Sequence, residues 1–423
     1  MKAKKRKKSR IGFIDILLFS LLFFCIFGQR LVLPVAGQTP AVFPLVMVTM
    51  LIMVLTKKFT LHIGRLILFS LFMMIAYLPV LFNSSFSMTS YVYVFLLYIP
   101  FLIKFEIQEE WKIKYLKKFQ SAVLFTAFFG IVQFVLQAAG MEFFDPMSFI
   151  NPEFIQTGYN TTYPIAYDSP ISKPNGGFYL EPSMFSQFLA LGIIVELIFF
   201  KRWNRVFVFF IAILLSFSGT GLLLLAVFSI PLLLRLKLKH LVLILGIASI
   251  AGYFFFTSEF GELTTGRTQE YKSQSSSFSI RITNPFLAVF QSDENELLLG
   301  HGAGQSTTDH FPFDTNFTVI PKLWYEYGLF STLIFMIFLF SSVFAKNRNI
   351  LISALFFMYL FLSGSLLQPQ TVFLMYFIIN IANIKKVEEL KFTKKKHNIL
   401  RSKIALTKTF KLKIVKKREV TPN

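Results

Sequence analysis

Glu181 closes the run KPNGGFYLEPS at 173–183, directly before an apolar stretch of helix length. A carboxylate in that place can hydrogen-bond a hydroxyl or orient a base. Pro182 and Ser183 are also ordinary helix-start residues, and a helix N-terminus favours a negative charge on its own account, so both roles stay open for Glu181. Further on, Arg267, Lys272 and Arg281 lie among Glu259, Glu262, Glu270, Asp293, Glu294 and Glu296. A guanidinium fork can take two phosphate oxygens at once and steady the charge on a departing pyrophosphate. Ion pairing with the neighbouring carboxylates is the other role open to Arg267 and Arg281. The GHGAG segment at 300–304 has the glycine density of a phosphate nest or of a plain turn. His301 and His310 titrate near neutrality, so either can accept a proton. Lys322 and Glu326 are four residues apart at a helix entrance, the spacing of a local ion pair.

Between 140 and 182 the chain alternates aromatic residues with Asn, Gly and Pro, and Tyr163, Tyr167 and Tyr179 stand out. Aromatic faces beside short polar groups suit a sugar ring and equally suit an interfacial belt. Other chemistries find no footing. The histidines form neither an HExxH motif nor a clustered ligand set, Cys25 is the single cysteine, and neither a GxGxxG loop nor a Walker A loop occurs. No cofactor and no metal are therefore expected.

The elements that must position these residues are apolar. The composition is 54% apolar, 17% aromatic and only 15% charged, with a mean hydropathy of +0.60, which does not describe the surface of a soluble globule. The formal charge of +21 is concentrated at the ends: seven Lys or Arg in residues 2–10, and fourteen basic against three acidic residues in 385–423. Basic tails around an apolar body fit membrane orientation and attraction to anionic lipid, and nucleic-acid binding is set aside. Twelve apolar runs, near 11–27, 39–56, 66–82, 87–103, 119–139, 183–200, 204–218, 219–234, 241–256, 319–345, 349–366 and 370–384, give an expected all-α polytopic membrane protein. The basic loops at Lys57 to Arg65, Lys104 to Lys118, Lys201 to Arg205, Arg235 to Lys239 and Lys346 to Arg348 then fall inside with both termini. This divides the chain into a basic N-terminus (1–10), a membrane body (11–384) with outer loops at about 140–182 and 257–318, and a basic tail (385–423). The segment SFSGTG at 216–221 reads as a tight turn or as a break within one bent helix.

This pattern resembles the oligosaccharide repeat-unit polymerases and O-antigen ligase-like proteins that build bacterial surface polysaccharides. The resemblance rests on the hydropathy plan, on GGFYLEPSMFSQFLA (176–190), on SFSGTG, on Arg281 followed by LLLGHGAG (297–304), and on NFTVIPKLWYEYGL (316–329). It implies a GT-C-like frame in the bacterial cytoplasmic membrane. There, undecaprenyl-pyrophosphate-linked repeat units would be polymerised at the outer face by metal-independent, inverting glycosyl transfer. A flippase and a chain-length regulator would be the protein partners. Under this resemblance Arg281 binds the pyrophosphate with Arg267, Asn316 joins Tyr163, Tyr167 and Tyr179 at the sugar, and Glu181, His301 or His310 supplies the base. The family's late motif carries a histidine before the asparagine, whereas Thr315 precedes Asn316 here, so the base is not carried over. The alternatives are ligase-like transfer to another acceptor, a lipid-linked saccharide flippase or transporter, and a noncatalytic assembly protein.

Overall fold

The computed structural model describes residues 13–34, 38–55, 60–82, 85–104, 107–165, 169–233, 279–306, 311–344, 349–362 and 366–382, with isolated positions at 246, 249, 253, 257 and 384. The chain separates into two units, Met1–Ala382 and Asn383–Asn423, and the named elements all belong to the first. The basic ends expected to meet anionic lipid lie outside the described residues.

The named elements of the described residues are mostly α-helices. They are α1 (Phe13–Phe27), α2 (Val42–Leu55), α3 (Ile63–Ala76), α4 (Met88–Tyr98), α5 (Glu109–Ala138), α6 (Pro182–Val195), α7 (Trp203–Leu215), α8 (Gly219–Leu233), α9 (Asn284–Phe290), α10 (Glu294–Leu299), α11 (Val319–Phe344), α12 (Ile350–Phe357) and α13 (Pro369–Ile381). Pro182 and Pro369 open α6 and α13 at a position where the missing N–H has no intrahelical partner to lose. Ser87 and Asn349 cap α4 and α12 by accepting the amides of Ser90 and Leu351. Two antiparallel bridges tie loops together: β1 (Val32–Leu33) with β2 (Thr39–Pro40), and β3 (Thr60–Leu61) with β4 (Ile103–Lys104).

The interior is built on α6 and α13. Both are buried on nearly every side, so neither offers a face to water. In α13 the side chains of Val372, Phe373, Leu374, Met375 and Phe377 are all buried, and the helix packs against α1, α2, α5 and α12. The α6 helix packs against α5, α7 and α8, and α3 lies along α11. The outward stripes are apolar as well: Ile63, Ile67, Leu71 and Met74 on α3, Phe125, Phe128, Val132 and Val135 on α5, and Phe330, Leu333, Ile337 and Phe340 on α11 are exposed.

This architecture corrects the expectation of about twelve transmembrane helices in a GT-C-like frame. Among the described residues four helices are long and apolar enough to cross a membrane, Ile63–Leu81, Glu109–Ala138, Pro182–Phe200 and Val319–Phe344. Seven further apolar helices have only 10–17 residues. The apolar runs are present, but helices within them stop early. Pro79 and Pro100 turn the ends of α3 and α4 into 3-10 segments, and π turns follow α6 at Glu196–Phe200 and α12 at Met358–Leu362. The run near 241–256 lies almost wholly outside the described residues. The multi-pass cytoplasmic-membrane placement with both termini inside rested on those twelve spans and is corrected with them.

The stretch expected as an outer loop at about 140–182 is tied to the helices beside it. Arg30 reaches from the α1–β1 turn to Asp145 through two parallel bonds of 2.6 and 2.8 Å, and its backbone carbonyl accepts the Gln156 amide. Gln133 and Gln137 on α5 hold Phe144 and Ser172 by their backbone groups. SFSGTG is a turn between two helices: α7 ends at Leu215, Phe217 adopts φ 47°, and α8 begins at Gly219.

Candidate functional site

Glu181 is the residue before α6, and its backbone carbonyl accepts the Phe185 amide at 3.1 Å to start the helix. Its side chain makes no capping bond. Instead Oε2 accepts from Arg281 Nη2 at 3.1 Å and from Ser183 Oγ at 2.8 Å. Arg281 comes from a π turn, Ser279–Thr283, that leads into α9, and the two side chains are 15% and 29% exposed. Burial, and next the Glu181 charge, push the Tyr159 phenol up to about 12, so this hydroxyl stays protonated at neutral pH.

Three further segments converge on the same place. The SFSGTG turn docks under Glu181 through Thr220 Oγ1, which donates to the Ser183 carbonyl at 3.2 Å, and through the Gly221 amide, which donates to Ser186 Oγ at 3.1 Å. The Asn316 amide donates to the Ile280 carbonyl at 2.8 Å, placing the exposed Asn316 beside the Arg281 turn. The PNGG segment forms the base. Asn175 is buried, its Oδ1 accepts from the Gly177 amide at 2.8 Å and from Gln133 at 3.2 Å, and its amide nitrogen reaches the Thr161 carbonyl at 3.1 Å. Gly177 has φ +78°, and a Cβ there would lie 2.5 Å from the Phe129 ring, so a larger residue would push this base off α5.

The remaining expected site residues are spread out. Tyr179 is fully buried against Phe185 and Phe188 with its hydroxyl 3.3 Å from Thr126, which makes it a packing residue with no face left for a sugar. Tyr163 is 40% exposed, with the Lys173 ammonium 4.8 Å from its ring centre. His301 belongs to a different cluster: Nε2 is 2.8 Å from Ser292 Oγ, Nδ1 is 3.3 Å from Glu296, and the ring stacks on Tyr325. Arg267, His310 and Tyr167 lie outside the described residues.

GHGAG is not a phosphate nest. The His301 and Gly302 amides donate at 2.8 Å to the carbonyls of Tyr325 and Glu326, which α11 releases because it kinks at Gly328. Beside that kink the Lys322–Glu326 spacing does form an ion pair, at 2.9 Å, and Ser306 Oγ donates to the same carboxylate oxygen at 2.6 Å. Lys322 also donates to the Ser306 hydroxyl. The sequence offered no reason to place Ser306 there. Arg30 and Asp145 were equally missed, although a lone arginine in the otherwise uncharged stretch 28–38 was the available signal.

Among the described residues no three His, Cys, Asp or Glu side chains gather as a metal site would require, and nothing is specific to glycan polymerisation. With the twelve-span frame withdrawn, so are polymerisation of undecaprenyl-pyrophosphate-linked repeats, the ligase-like and flippase alternatives, and the surface-polysaccharide roles attached to them. No family model, no curated protein and no solved structure matches this chain, and none of these comparisons supports a family assignment.

Proposed function

We propose that the Glu181–Arg281 face binds a ligand carrying phosphate or pyrophosphate, with Arg281 as the anion fork and Glu181 as proton acceptor for a hydroxyl. The observation that supports it is the pair itself, a carboxylate and a guanidinium brought to 3.1 Å from positions 100 residues apart while both stay partly exposed. A pair of this kind contributes about 0–1 kcal/mol, so a doubly charged anion can displace the carboxylate at small cost. Guanidinium geometry then favours two phosphate oxygens over one carboxylate oxygen.

The enzymatic reading is part of the proposal. A group held on the phosphate passes to a hydroxyl, the O–H proton goes to Glu181, and the phosphate leaves with the bonding electrons onto Arg281. The exposed apolar stripes of α3, α5 and α11 favour a phosphate ester with a long apolar chain. An undecaprenyl-pyrophosphate-linked oligosaccharide is one candidate of that class.

The test is titration of the full-length protein with inorganic pyrophosphate, comparing wild type with Arg281→Lys and Arg281→Gln. The expected result is at least a tenfold loss of affinity in both variants, the lysine one included because an ammonium cannot present the fork. Equal affinity in all three proteins overturns the proposal.

A further inference from the structure

The α9–α10 connection brings a hydroxyl, an imidazole and a carboxylate into one line. Ser292 follows α9, Glu296 lies in the first turn of α10, and His301 comes directly after Gly300, the residue that ends α10. Ser292 Oγ is 2.8 Å from His301 Nε2, and His301 Nδ1 is 3.3 Å from Glu296 Oε1. The two ring nitrogens thus face different partners, and which partner meets which nitrogen decides the chemistry.

Each member is held from its surroundings. The Ser292 amide donates to the Val289 carbonyl at 3.2 Å. A capping box with Asp293 engages Glu296 Oε2 at the Asp293 amide, while Oε1 is the oxygen nearest the ring. The His301 amide donates to the Tyr325 carbonyl at 2.8 Å, and its ring stacks on that of Tyr325 with centroids 4.0 Å apart. A carboxylate beside Nδ1 draws the ring proton to that nitrogen, which leaves Nε2 to accept the serine O–H. The Ala288 carbonyl, at 3.2 Å, is a second acceptor for this hydroxyl, and the shorter distance favours the ring.

The neighbourhood selects among substrates. Asp293 and Glu294 are exposed and repel anions. Leu287 and Phe290 on α9 are exposed as well, with Phe290 edge-on to Trp324 at 5.6 Å, and they offer apolar area beside Ser292. An uncharged ester with an apolar acyl chain suits this surface, and a phosphate does not. From Arg281 to Ser292 the chain covers roughly 16 Å at the rise of a helix, so the cluster is separate from the Glu181–Arg281 face.

We propose that Ser292 is a nucleophile that takes an acyl group from an uncharged carboxylic ester, with His301 as its base and Glu296 positioning the imidazole. Ser292 Oγ bonds to the acyl carbon as its proton passes to His301 Nε2. The bond from that carbon to the alcohol oxygen then breaks, and the alcohol leaves with the proton from Nε2. Water next adds to the acyl carbon and gives a proton to Nε2. The Ser292 Oγ–acyl bond breaks, the proton returns to Ser292, and the products are a carboxylic acid and an alcohol.

The experiment treats the full-length protein in detergent micelles with an alkyl fluorophosphonate, which phosphonylates an activated serine with loss of fluoride. Peptide mass spectrometry locates the label, and hydrolysis of p-nitrophenyl butyrate gives kcat and KM. The expected result is a label on Ser292, absent in Ser292→Ala and formed at least a hundredfold more slowly in His301→Gln. Glu296→Gln keeps an oxygen for the Asp293 amide and with it the helix cap, so its kcat should fall at least tenfold at unchanged KM. Wild-type protein that takes no label, or carries it elsewhere than on Ser292, overturns the inference whatever the variants do. Equal labelling rates in wild type and His301→Gln overturn the role of the base, and an unchanged kcat in Glu296→Gln overturns the positioning role.

Discussion

Two carboxylates in this protein are each held by one cation and one serine, and they differ in burial. Glu326, with Lys322 and Ser306, is wholly buried and its cation is 13% exposed. Glu181, with Arg281 and Ser183, is 15% exposed and its cation 29%. Around Glu326 the backbone is locked as well, since the adjacent carbonyls accept the GHGAG amides and the helix is bent at Gly328. Around Glu181 the two charges come from separate segments whose backbones are held independently of the pair. Removing a partner inside low-dielectric surroundings leaves a charge that water cannot reach, whereas at the partly exposed pair water or a ligand takes over. The same set of groups therefore fixes structure in one place and is available for exchange in the other.

The largest effect that sharpens this contrast is expected at Lys322. Lys322→Met should cost about 3–5 kcal/mol of stability, because the Glu326 carboxylate is left buried without its cation. The double variant Lys322→Met with Glu326→Met should recover most of that loss, and denaturant unfolding of the purified proteins measures both. Next comes Gly328→Ala. At φ +76° the added Cβ would lie 2.2 Å from the Leu298 carbonyl oxygen. The expected cost is on the order of 3 kcal/mol, from strain and overpacking together. Thermal unfolding reads it, and an unchanged midpoint would mean that the kink is dispensable.

Arg281→Gln should lower stability by only about 0–1 kcal/mol while abolishing pyrophosphate binding, and a loss as large as that at Lys322 would remove the contrast. The smallest effect concerns Tyr159, whose phenol is raised from 10 to about 12. A raised phenol favours the protonated folded state, so its contribution is complete below pH 10 and is lost as pH rises through 12. Tyrosinate absorbance with Tyr159→Phe as the subtraction should place the midpoint there, and Glu181→Gln should move it down part of the way, burial being the larger cause.

The apolar runs located most of the helices but misjudged their lengths and hence the architecture. An apolar run of 17 or more residues looks continuous, yet seven of the apolar helices among the described residues have only 10–17 residues, and hydropathy does not register where a helix begins and ends. At the site, Glu181 and Arg281 were legible from residue type and flanking context. Their pairing was not, because nothing in spacing reports contacts across 100 residues. Tyr179 read as a ligand contact because composition does not say which aromatic ring faces inward, and here the PNGG base turns it toward Phe185 and Phe188. GHGAG stayed open between a phosphate nest and a plain turn for a related reason: glycine permits both, and the helix kink at Gly328 supplies carbonyls that take the His301 and Gly302 amides.

The central claim is that Glu181 occupies Arg281 only until an anion displaces it, and pyrophosphate affinity in the Glu181→Gln variant tests that most directly. With the competing charge removed and the α6 start retained, the full-length protein should bind pyrophosphate several-fold more tightly than wild type by isothermal titration. Binding that is unchanged or weaker would contradict the account and leave Glu181–Arg281 as a structural ion pair.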